Sequence, residues 1–437
     1  MKKISFILIM SLILAGMFSC GNNSKKNGPS KVEIRSEKGS YSVYVNNVSF
    51  TVKGAGCEFG DFASLASRGA NMVRTWRVDN GKETGLQILD KAQKNGLMVL
   101  MGIEVQRQRH GFDYNNADSV KMQFERIKAE VLKYKDHPAL FGWGIGNELN
   151  LRYTNKKVWD AVNEIAKMIH EVDPSHVTTT MLAGIGKEDV DYIRQNCKAI
   201  DFLSVQMYGD AINVIKKVNE AGWEGPYMVT EWGATGHWEV PSTSWKIPIE
   251  QTSSEKADAI MERYTKAVNA NPAKCIGNFV FVWEQKQERT PTWYGLALES
   301  GEGTEMMDVM EFNWTGKWPA NRAPRLDSIF LNNRTRLQDI HLKAGKISVA
   351  QVYAHDVDND TLAYTVAVLP DMPDLFRDGG DKEVTPPAVD CKAVIDMVKG
   401  TVTFNAPEKP GPYRIFVYVH DGHNHAATAN VPFLVEK

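Results

Sequence analysis

The feature that most constrains the fold is an alternation of short apolar runs and longer amphipathic segments between residues 41 and 284. Buried strands give short apolar runs and surface helices give apolar residues at a period of 3.6, so the alternation predicts a parallel sheet covered by helices. Eight such units predict a closed (β/α)₈ TIM barrel. The apolar runs are residues 50–56, 71–76, 97–105, 140–145, 177–183, 202–207, 227–229 and 278–283. The helical patterns include residues 85–95, 118–134, 157–172 and 253–270.

The pattern changes after Pro319, where helical periodicity gives way to short alternating strands. The clearest strands are residues 362–368, 400–405, 413–420 and 426–435, with turn-rich segments at 378–381 and 408–411. About 100 residues of this kind predict a small all-β sandwich. We therefore expect a barrel domain over residues 41–325, a short connector, and a β-sandwich over residues 335–437.

The N-terminus has the form of a secretory signal. Lys2 and Lys3 precede an apolar run over residues 4–18, which is short for a membrane-spanning helix. The following Ser19-Cys20-Gly21 resembles a bacterial lipobox, which implies cleavage before Cys20 and attachment of an outer-membrane lipid to its thiol. We expect a lipoprotein signal over residues 1–19, a polar linker over 20–40, and a location in the bacterial cell envelope, facing the periplasm or the cell surface. The alternative is a plain signal peptide with an incidental cysteine.

Charge and cysteine content narrow the possible partners. The formal net charge is -2 and no basic block stands out, so nothing suggests a nucleic-acid partner. Neutral polymers or small molecules fit this balance better. Cys57, Cys197, Cys275 and Cys391 lack metal-ligand spacing and are too far apart for a disulfide-dense scaffold. We expect no metal and no cofactor to take part in the chemistry.

Two glutamates lie where the fourth and seventh apolar runs end. Glu148 closes Gly142-Trp-Gly-Ile-Gly-Asn-Glu, and Glu231 follows Val229 and Thr230. Active sites of (β/α)₈ barrels form at the ends of strands, so the two carboxyl groups are expected at one edge. Cleavage of a glycosidic bond needs such a pair, one to protonate the leaving oxygen and one to attack the sugar or activate water. Each glutamate alone is equally well explained as a surface residue or a helix cap.

The pair and its surroundings resemble clan A of the glycoside hydrolases over residues 50–318. This resemblance implies that Glu148 is the acid/base, that Glu231 is the nucleophile, and that Asn147 binds the 2-hydroxyl of the sugar. Within the clan, the spacing is most similar to the family 2 catalytic barrel of β-galactosidases, β-glucuronidases and β-mannosidases. Residues 31–50 leave room for only one hairpin where that family carries β-sandwich domains.

Three further positions match the clan pattern. Arg74 matches an arginine of the second strand near the nucleophile, and Tyr208 matches an aromatic residue of the sixth strand that hydrogen-bonds the nucleophile. Trp283 matches a tryptophan of the eighth strand that forms the floor of the sugar subsite. Each has a simpler explanation: an ordinary ion pair for Arg74, a hydroxyl facing water for Tyr208, and core packing for Trp283.

The tryptophans are concentrated before the predicted sandwich. All eleven lie at or before Trp318, and eight of them fall between Trp223 and Trp318. Sugar rings stack on indoles, so this concentration favours a polysaccharide groove, although about half of these rings are expected to pack in the core. Candidate walls of the cleft are Trp232, Trp238, Trp245, Trp283 and Trp293, and His237 is a candidate substrate contact. The complete set of predicted substrate-binding residues is Arg74, Asn147, Tyr208, Trp232, His237 and Trp283.

The C-terminal segment contains one acidic motif, with Asp356, Asp358 and Asp360 at alternate positions. The motif lacks the glycine and terminal glutamate of an EF-hand loop. It resembles the Asp-rich opening of cadherin-like and other immunoglobulin-like modules, as does Tyr418-Val-His-Asp-Gly422. Calcium binding is an open alternative, and a role as spacer or packing support is the default expectation for this module.

The sequence thus predicts a retaining β-glycosidase that acts on a β-linked oligo- or polysaccharide. Two alternatives stay open: a transglycosylase of the same chemistry, and a non-catalytic surface lipoprotein that binds glycans. Residues 73–76 and the compact layout are also similar to family 5 mannanases and to fungal glucanosyltransferases of family 72. The sugar and the linkage are therefore left open.

Overall fold

The computed structural model describes residues 28–371 and 383–437. The predicted signal, Cys20 and the turn-rich segment at 378–381 lie outside the described residues. Within the described ranges, no helix is both long enough and apolar enough to cross a membrane.

A closed barrel of eight parallel strands forms the centre of the molecule, as the alternation of apolar runs predicts. The strands pair in chain order, and the last barrel strand closes on the first through Val280 and Ala55. Val73 pairs with Ala55 on one side and with Val99 on the other. The register shifts within four other strand pairs, for example between Gly144 and Asn147. The barrel strands are β4 Gly54–Gly56, β5 Met72–Arg74, β6 Met98–Ile103, β7 Leu140–Asn147, β8 Val177–Ala183, β9 Phe202–Gln206, β10 Tyr227–Gly233 and β11 Cys275–Phe281.

Helices surround the barrel and bury their apolar faces against the strands. In the helix 157–172, for example, Trp159, Val162, Ile165 and Ile169 are almost fully buried in the core between helices and strands. Two helices begin with capping boxes, formed by Thr84 with Gln87 and by Thr252 with Glu255. The helices are α1 Phe62–Ser67, α2 Gly85–Lys94, α3 Ala117–Tyr134, α4 Lys157–Val172, α5 Lys187–Asn196, α6 Val214–Ala221, α7 Ser253–Arg263 and α8 Glu305–Thr315. Short 3₁₀ helices occupy Gln108–His110 and Gly209–Asn213, and a π-helical turn, Tyr264–Val268, continues α7.

A small antiparallel sheet covers the end of the barrel where the strands begin. It consists of β1 Val32–Glu37, β2 Ser40–Val45 and β3 Val48–Ser49. Val32 and Val43 pack with Phe141 and Phe202 in an apolar cluster at this end. The prediction of a polar linker over residues 20–40 is therefore wrong from Val32 onward, because alternate residues of β1 pack against the barrel while the polar residues between them face away.

The C-terminal module consists of two sheets that share one apolar core, to which Val352 and Phe404 of one sheet and Ile415 and Phe433 of the other contribute. Its strands are β12 Arg325–Leu331, β13 Arg334–Thr335, β14 His341–Lys343, β15 Ile347–His355, β16 Ala363–Pro370, β17 Val394–Asp396, β18 Thr401–Asn405, β19 Gly411–His420 and β20 Ala426–Glu436. The sheet orders are β13-β12-β15-β18-β17 and β14-β20-β19-β16. The all-β module thus begins ten residues earlier than predicted, because β12 pairs with β15 instead of forming a connector.

Candidate active site

Glu148 and Glu231 lie at the same end of the barrel. Glu231 is a residue of β10, and Glu148 directly follows β7. Both line one cleft of ≈ 1410 Å³ at the edge where the barrel strands end. The structure therefore brings together the two carboxyl groups that the sequence places 83 positions apart.

Four side chains donate hydrogen bonds to the Glu231 carboxylate. Its Oε1 accepts from Nη1 of Arg74 at 2.6 Å and from Nε1 of Trp76 at 2.7 Å. The same oxygen accepts from Nε2 of Gln206 at 2.9 Å, and Oε2 accepts from the hydroxyl of Tyr208 at 2.7 Å. Glu231 is only 5% exposed, so these donors replace the water that an ionised carboxylate would otherwise bind.

Asn147 belongs to the same hydrogen-bond network. Its Oδ1 accepts from Nη2 of Arg74 at 2.5 Å and from Nε2 of Gln206 at 2.7 Å. These two contacts fix the orientation of the amide, and Nδ2 is its remaining donor. Asn147 also lines the cleft.

Glu148 sits on a backbone segment that its neighbours hold in place. Its φ is 51°, a left-handed conformation that is uncommon for residues other than glycine and is often found at functional sites. Its N–H donates to the carbonyl of Met181 on β8 at 3.0 Å. The carbonyl of Asn147 accepts from Nε of Arg107 at 3.1 Å, and that of Glu148 accepts from Nη1 of Arg109 at 2.8 Å.

The environment of Glu148 favours its protonated form. Burial raises its pKa to about 7, and the charge of Glu231 adds to the effect. The charges of Arg109 and Arg107 act in the opposite direction without cancelling it. A carboxyl group with this pKa carries a proton at mildly acidic pH and can donate it.

An ion pair between Lys286 and Glu288 lies on the loop that follows β11, and both residues line the cleft. Burial acts to lower the pKa of Lys286, but the carboxylates of Glu288, Glu231 and Glu148 outweigh it and raise that pKa. Burial raises the pKa of Glu288. The ammonium group also lies 5.0 Å from the ring centre of Phe281. The cleft therefore contains a fixed cation within electrostatic range of both glutamates.

His237 and Trp238 form part of the cleft wall beyond β10. Burial lowers the pKa of His237 to about 4, so the ring is neutral at physiological pH. Its Nδ1 lies 3.0 Å from the hydroxyl of Tyr294. Trp238 is 58% exposed and contacts Tyr208 edge to face, which leaves much of its indole surface open to the cleft.

Trp232 and Trp283 lie away from the cleft, so their assignment as substrate-binding residues is wrong. Neighbouring residues on a strand face opposite sides, so Trp232 faces the surrounding helices because Glu231 faces the cleft. Its ring packs against Tyr264, and its Nε1 donates to Oδ1 of Asn278 on β11 at 3.2 Å. Trp283 follows the end of β11 and packs against Trp314 of α8, with ring centres 5.5 Å apart. Both indoles are 1% exposed or less.

Two other tryptophans in the predicted walls also serve packing. Trp293 is 1% exposed and donates from Nε1 to the carbonyl of Thr235 at 2.9 Å. Trp245 packs against His341 of the C-terminal module. Of the five indoles proposed as walls, Trp238 is the one that lines the cleft.

Three residues that contact Glu231 or its partners, Trp76, Gln206 and Phe281, are among those not predicted from the sequence. Trp76 and Gln206 each donate to Glu231, and the ring of Phe281 packs against Trp76 with centres 5.6 Å apart. Trp76 stands two residues after Arg74, and Gln206 two before Tyr208. The alternation of side chains along a strand was therefore a usable signal for both, because residues two apart face the same side.

The acidic motif of the C-terminal module lies at its junction with the barrel. Oxygens of Asp356, Asp360 and Asp421 lie within 4.8 Å of one another. Asp358 is not part of this group, and its Oδ2 accepts from the backbone N–H of Arg322 at 2.7 Å. Oδ2 of Asp360 accepts from the side chain of Asn321. The motif thus fastens the segment that leaves α8 to the module.

Comparison with known proteins finds similarity to glycoside hydrolases. Residues 60–267, which include both glutamates, match the model of the glycosyl hydrolases family 2, TIM barrel domain. Mannan endo-1,4-beta-mannosidase F of Aspergillus clavatus is 25% identical over 151 residues, which cover 31% of this chain and 34% of that protein. A putative mannan endo-1,4-beta-mannosidase 4 of Arabidopsis thaliana is 26% identical over 143 residues, covering 30% of this chain and 34% of that protein.

Among solved structures, a beta-D-glucuronidase of Dictyoglomus thermophilum superposes with a TM-score of 0.51 at 15% identity, covering 66% of this chain and 54% of that one. At this identity the likeness concerns the fold. The chain spans about a third of the length of the mannosidases it matches and about half of the glucuronidase.

Proposed function

We propose that the protein is a retaining β-glycosidase in which Glu231 is the nucleophile and Glu148 the general acid/base. The observation that carries the proposal is the contrast between the two carboxyl groups in one cleft. Four donors hold Glu231 in a fixed orientation suited to an ionised carboxylate. Glu148, with a pKa of about 7, retains a proton for the leaving group.

The reaction would proceed in two displacements. In the first, an oxygen of Glu231 forms a bond to the anomeric carbon while the glycosidic bond breaks and its oxygen takes the proton of Glu148. In the second, Glu148 removes a proton from water, the water oxygen bonds to the anomeric carbon, and Glu231 leaves as a carboxylate. Asn147 would donate from Nδ2 to a hydroxyl of the sugar that carries the reacting carbon.

The electrostatics of the pair suit this exchange of roles. Part of the upward shift in the pKa of Glu148 comes from the negative charge of Glu231. In the glycosyl-enzyme that charge is absent, so the pKa of Glu148 falls after the proton has been given away. A lower pKa leaves Glu148 ionised at the moment when it must act as a base.

The cleft supports an oligo- or polysaccharide as substrate. Its volume of ≈ 1410 Å³ exceeds the roughly 300–1,000 Å³ typical of sites for small molecules. Acidic and basic side chains line it in nearly equal number, which favours a neutral sugar chain over a strongly charged one. The two similar proteins described as mannan endo-1,4-beta-mannosidases make a β-linked mannan the first polymer to test.

The test is a panel of aryl β-glycosides together with soluble mannans, glucans and xylans, assayed for release of reducing sugar and for products by chromatography. We expect hydrolysis of at least one β-linked substrate, and Glu231→Ala serves as the blank. Products longer than the substrate would indicate a transglycosylase of the same chemistry. Binding of a glycan without cleavage would replace the proposal by a non-catalytic glycan-binding role.

We also propose that the chain is anchored in the bacterial cell envelope through lipid on Cys20. The support is the sequence of residues 1–21, which lie outside the described residues. Metabolic labelling with a radioactive fatty acid should mark the wild type, and Cys20→Ser should abolish the label and move the protein to the soluble fraction. Labelling that survives the substitution would contradict the anchor.

A further inference from the structure

The C-terminal module is joined to the barrel through a buried polar network centred on Glu250. Its Oε1 accepts from Nζ of Lys256 at 2.5 Å and from Oγ1 of Thr292 at 2.8 Å. Its Oε2 accepts from Oγ1 of Thr290 at 2.6 Å and from Nδ2 of Asn430 on β20 at 2.6 Å. Glu250 and Lys256 are each 1% exposed. A charge pair buried this deeply depends on every partner being in place, so the network holds module and barrel in one arrangement.

The same network fixes the loop that follows β11, since Thr290 and Thr292 belong to that loop. The loop carries Lys286 and Glu288 into the cleft. A second attachment comes from the module, where Oγ1 of Thr385 donates to Oε1 of Gln287 at 2.9 Å. The module thus supports this wall of the cleft from behind.

The C-terminal module contributes a residue, Glu383, to the lining of the cleft. Among the described residues, it is the one member of the module that lines the cleft. Its Oε2 accepts from the backbone N–H of Arg289 at 2.8 Å, which fixes the carboxylate against the loop. A carboxylate accepts up to about four hydrogen bonds, so Glu383, which is partly exposed, retains capacity for a ligand.

The position of Glu383 relative to the catalytic pair indicates a distal subsite. Burial is the main cause that raises the pKa of Glu288, and the charge of Glu383 adds to it, so the two carboxylates lie within electrostatic range of each other. Glu383 is held at the backbone of Arg289, which follows Glu288 on the loop after β11, whereas Glu148 and Glu231 lie at the ends of β7 and β10. A sugar unit beside Glu383 would be a neighbour of the unit being cleaved.

We propose that Glu383 is a substrate-binding residue supplied by the C-terminal module, and that it accepts hydrogen bonds from hydroxyl groups of a sugar unit next to the one cleaved. This inference rests on the proposed glycosidase function. It assigns the module a direct part in selecting oligosaccharide chains, in addition to its role as support.

The test compares Glu383→Ala and Glu383→Gln with the wild type on an aryl monoglycoside and on a tetrasaccharide of the same sugar. We expect the loss of kcat/KM in Glu383→Ala to be at least about tenfold larger for the tetrasaccharide, since only the longer chain reaches Glu383. Glu383→Gln should lose less, because its amide oxygen still accepts. Equal losses on both substrates, or no loss, would overturn the proposal.

Two control variants separate binding from support of the loop. Thr385→Ala removes the contact with Gln287 while leaving the carboxylate, so a loss confined to the tetrasaccharide in this variant as well would overturn the assignment to Glu383. Glu408→Ala, an exposed glutamate elsewhere on the module, should match the wild type.

Affinity electrophoresis in gels that contain the soluble glycan gives a readout that does not need turnover. In a Glu231→Ala background, Glu383→Ala should weaken retardation by the glycan about tenfold. Weakened binding without any cleavage by the wild type would refute the glycosidase and keep the subsite. Normal cleavage with unchanged binding in the Glu383 variant would refute the subsite alone.

Discussion

The ends of β7 and β10 present the same side chain in opposite surroundings. At the end of β10, Glu231 accepts four hydrogen bonds from side chains that are themselves fixed. At the end of β7, Glu148 lies on a left-handed backbone, and burial together with the charge of Glu231 raises its pKa to about 7. In the proposed mechanism the environment assigns the roles, since one glutamate serves as nucleophile and the other as acid because their surroundings differ.

The largest expected effect follows from removing the carboxylate of β10. Glu231→Gln keeps the volume of the side chain but removes the proposed nucleophile, so kcat on an aryl glycoside should fall by about 10⁴-fold or more. Glu104→Gln, at an exposed glutamate that also lines the cleft, should retain most of its activity. Comparable activity in the two variants would contradict the assignment of Glu231 as the nucleophile.

Removal of the proposed acid, Glu148, should have a smaller effect that depends on the leaving group. Glu148→Gln should lower kcat/KM by about 10³-fold on substrates whose leaving group needs a proton, and much less on dinitrophenyl glycosides. The wild type should lose kcat/KM as the pH rises above about 7, because Glu148 then releases its proton. A pH profile of kcat/KM on both substrates checks this. If the variant lost activity above about pH 7 as the wild type does, another group would have to be the acid.

The raised pKa of Glu148 should also change how the free energy of unfolding depends on pH. The pKa of Glu148 is raised on folding from 4.5 to about 7, so its contribution to the free energy of unfolding is fully present below pH 4.5 and is lost as the pH rises through about 7. Glu148→Gln cannot ionise and should not show this loss. Between pH 5 and pH 8, the free energy of unfolding should therefore fall further in the wild type than in the variant, by at most about 3 kcal/mol. Denaturant titrations at the two pH values measure this difference. Parallel pH dependence of the two proteins would contradict the raised pKa.

The smallest expected effect is seen when a tryptophan that donates to Glu231 is compared with a tryptophan of the core. Trp76→Phe removes one hydrogen bond to the carboxylate and should lower kcat about 10- to 100-fold. Trp283→Phe alters packing against Trp314 and should lower the melting temperature while leaving kcat near that of the wild type. A larger loss of kcat in Trp283→Phe than in Trp76→Phe would indicate that Trp283 takes part in substrate binding after all.

The barrel and the positions of the two glutamates could be predicted because they depend on local patterns. Apolar runs mark the strands, and a polar residue at the end of such a run must lie at the edge of the sheet. The assignment of Trp232 failed because it ignored that neighbouring residues of a strand face opposite sides. Residues 32–37 were assigned to the polar linker, although residues 31–50 leave room for a hairpin, because the two apolar residues of this strand become informative only together with the end of the barrel against which they pack.

Other features depend on residues distant in sequence. Glu250 and Lys256 are six positions apart, but Asn430, which completes their network, is 180 positions from Glu250. The contact of Glu383 with the loop after β11 spans 94 positions. No local pattern records which loop a distant module will reach, so these contacts follow only from the tertiary structure.

The most direct test of the account is the anomeric configuration of the first product, followed by proton NMR during hydrolysis of a β-glycoside. Two displacements, with Glu231 as nucleophile and Glu148 as acid/base, predict that the β-anomer forms first and then mutarotates. An α-anomer as the first product would show a single displacement by water, and would contradict the assignment of Glu231 as the nucleophile.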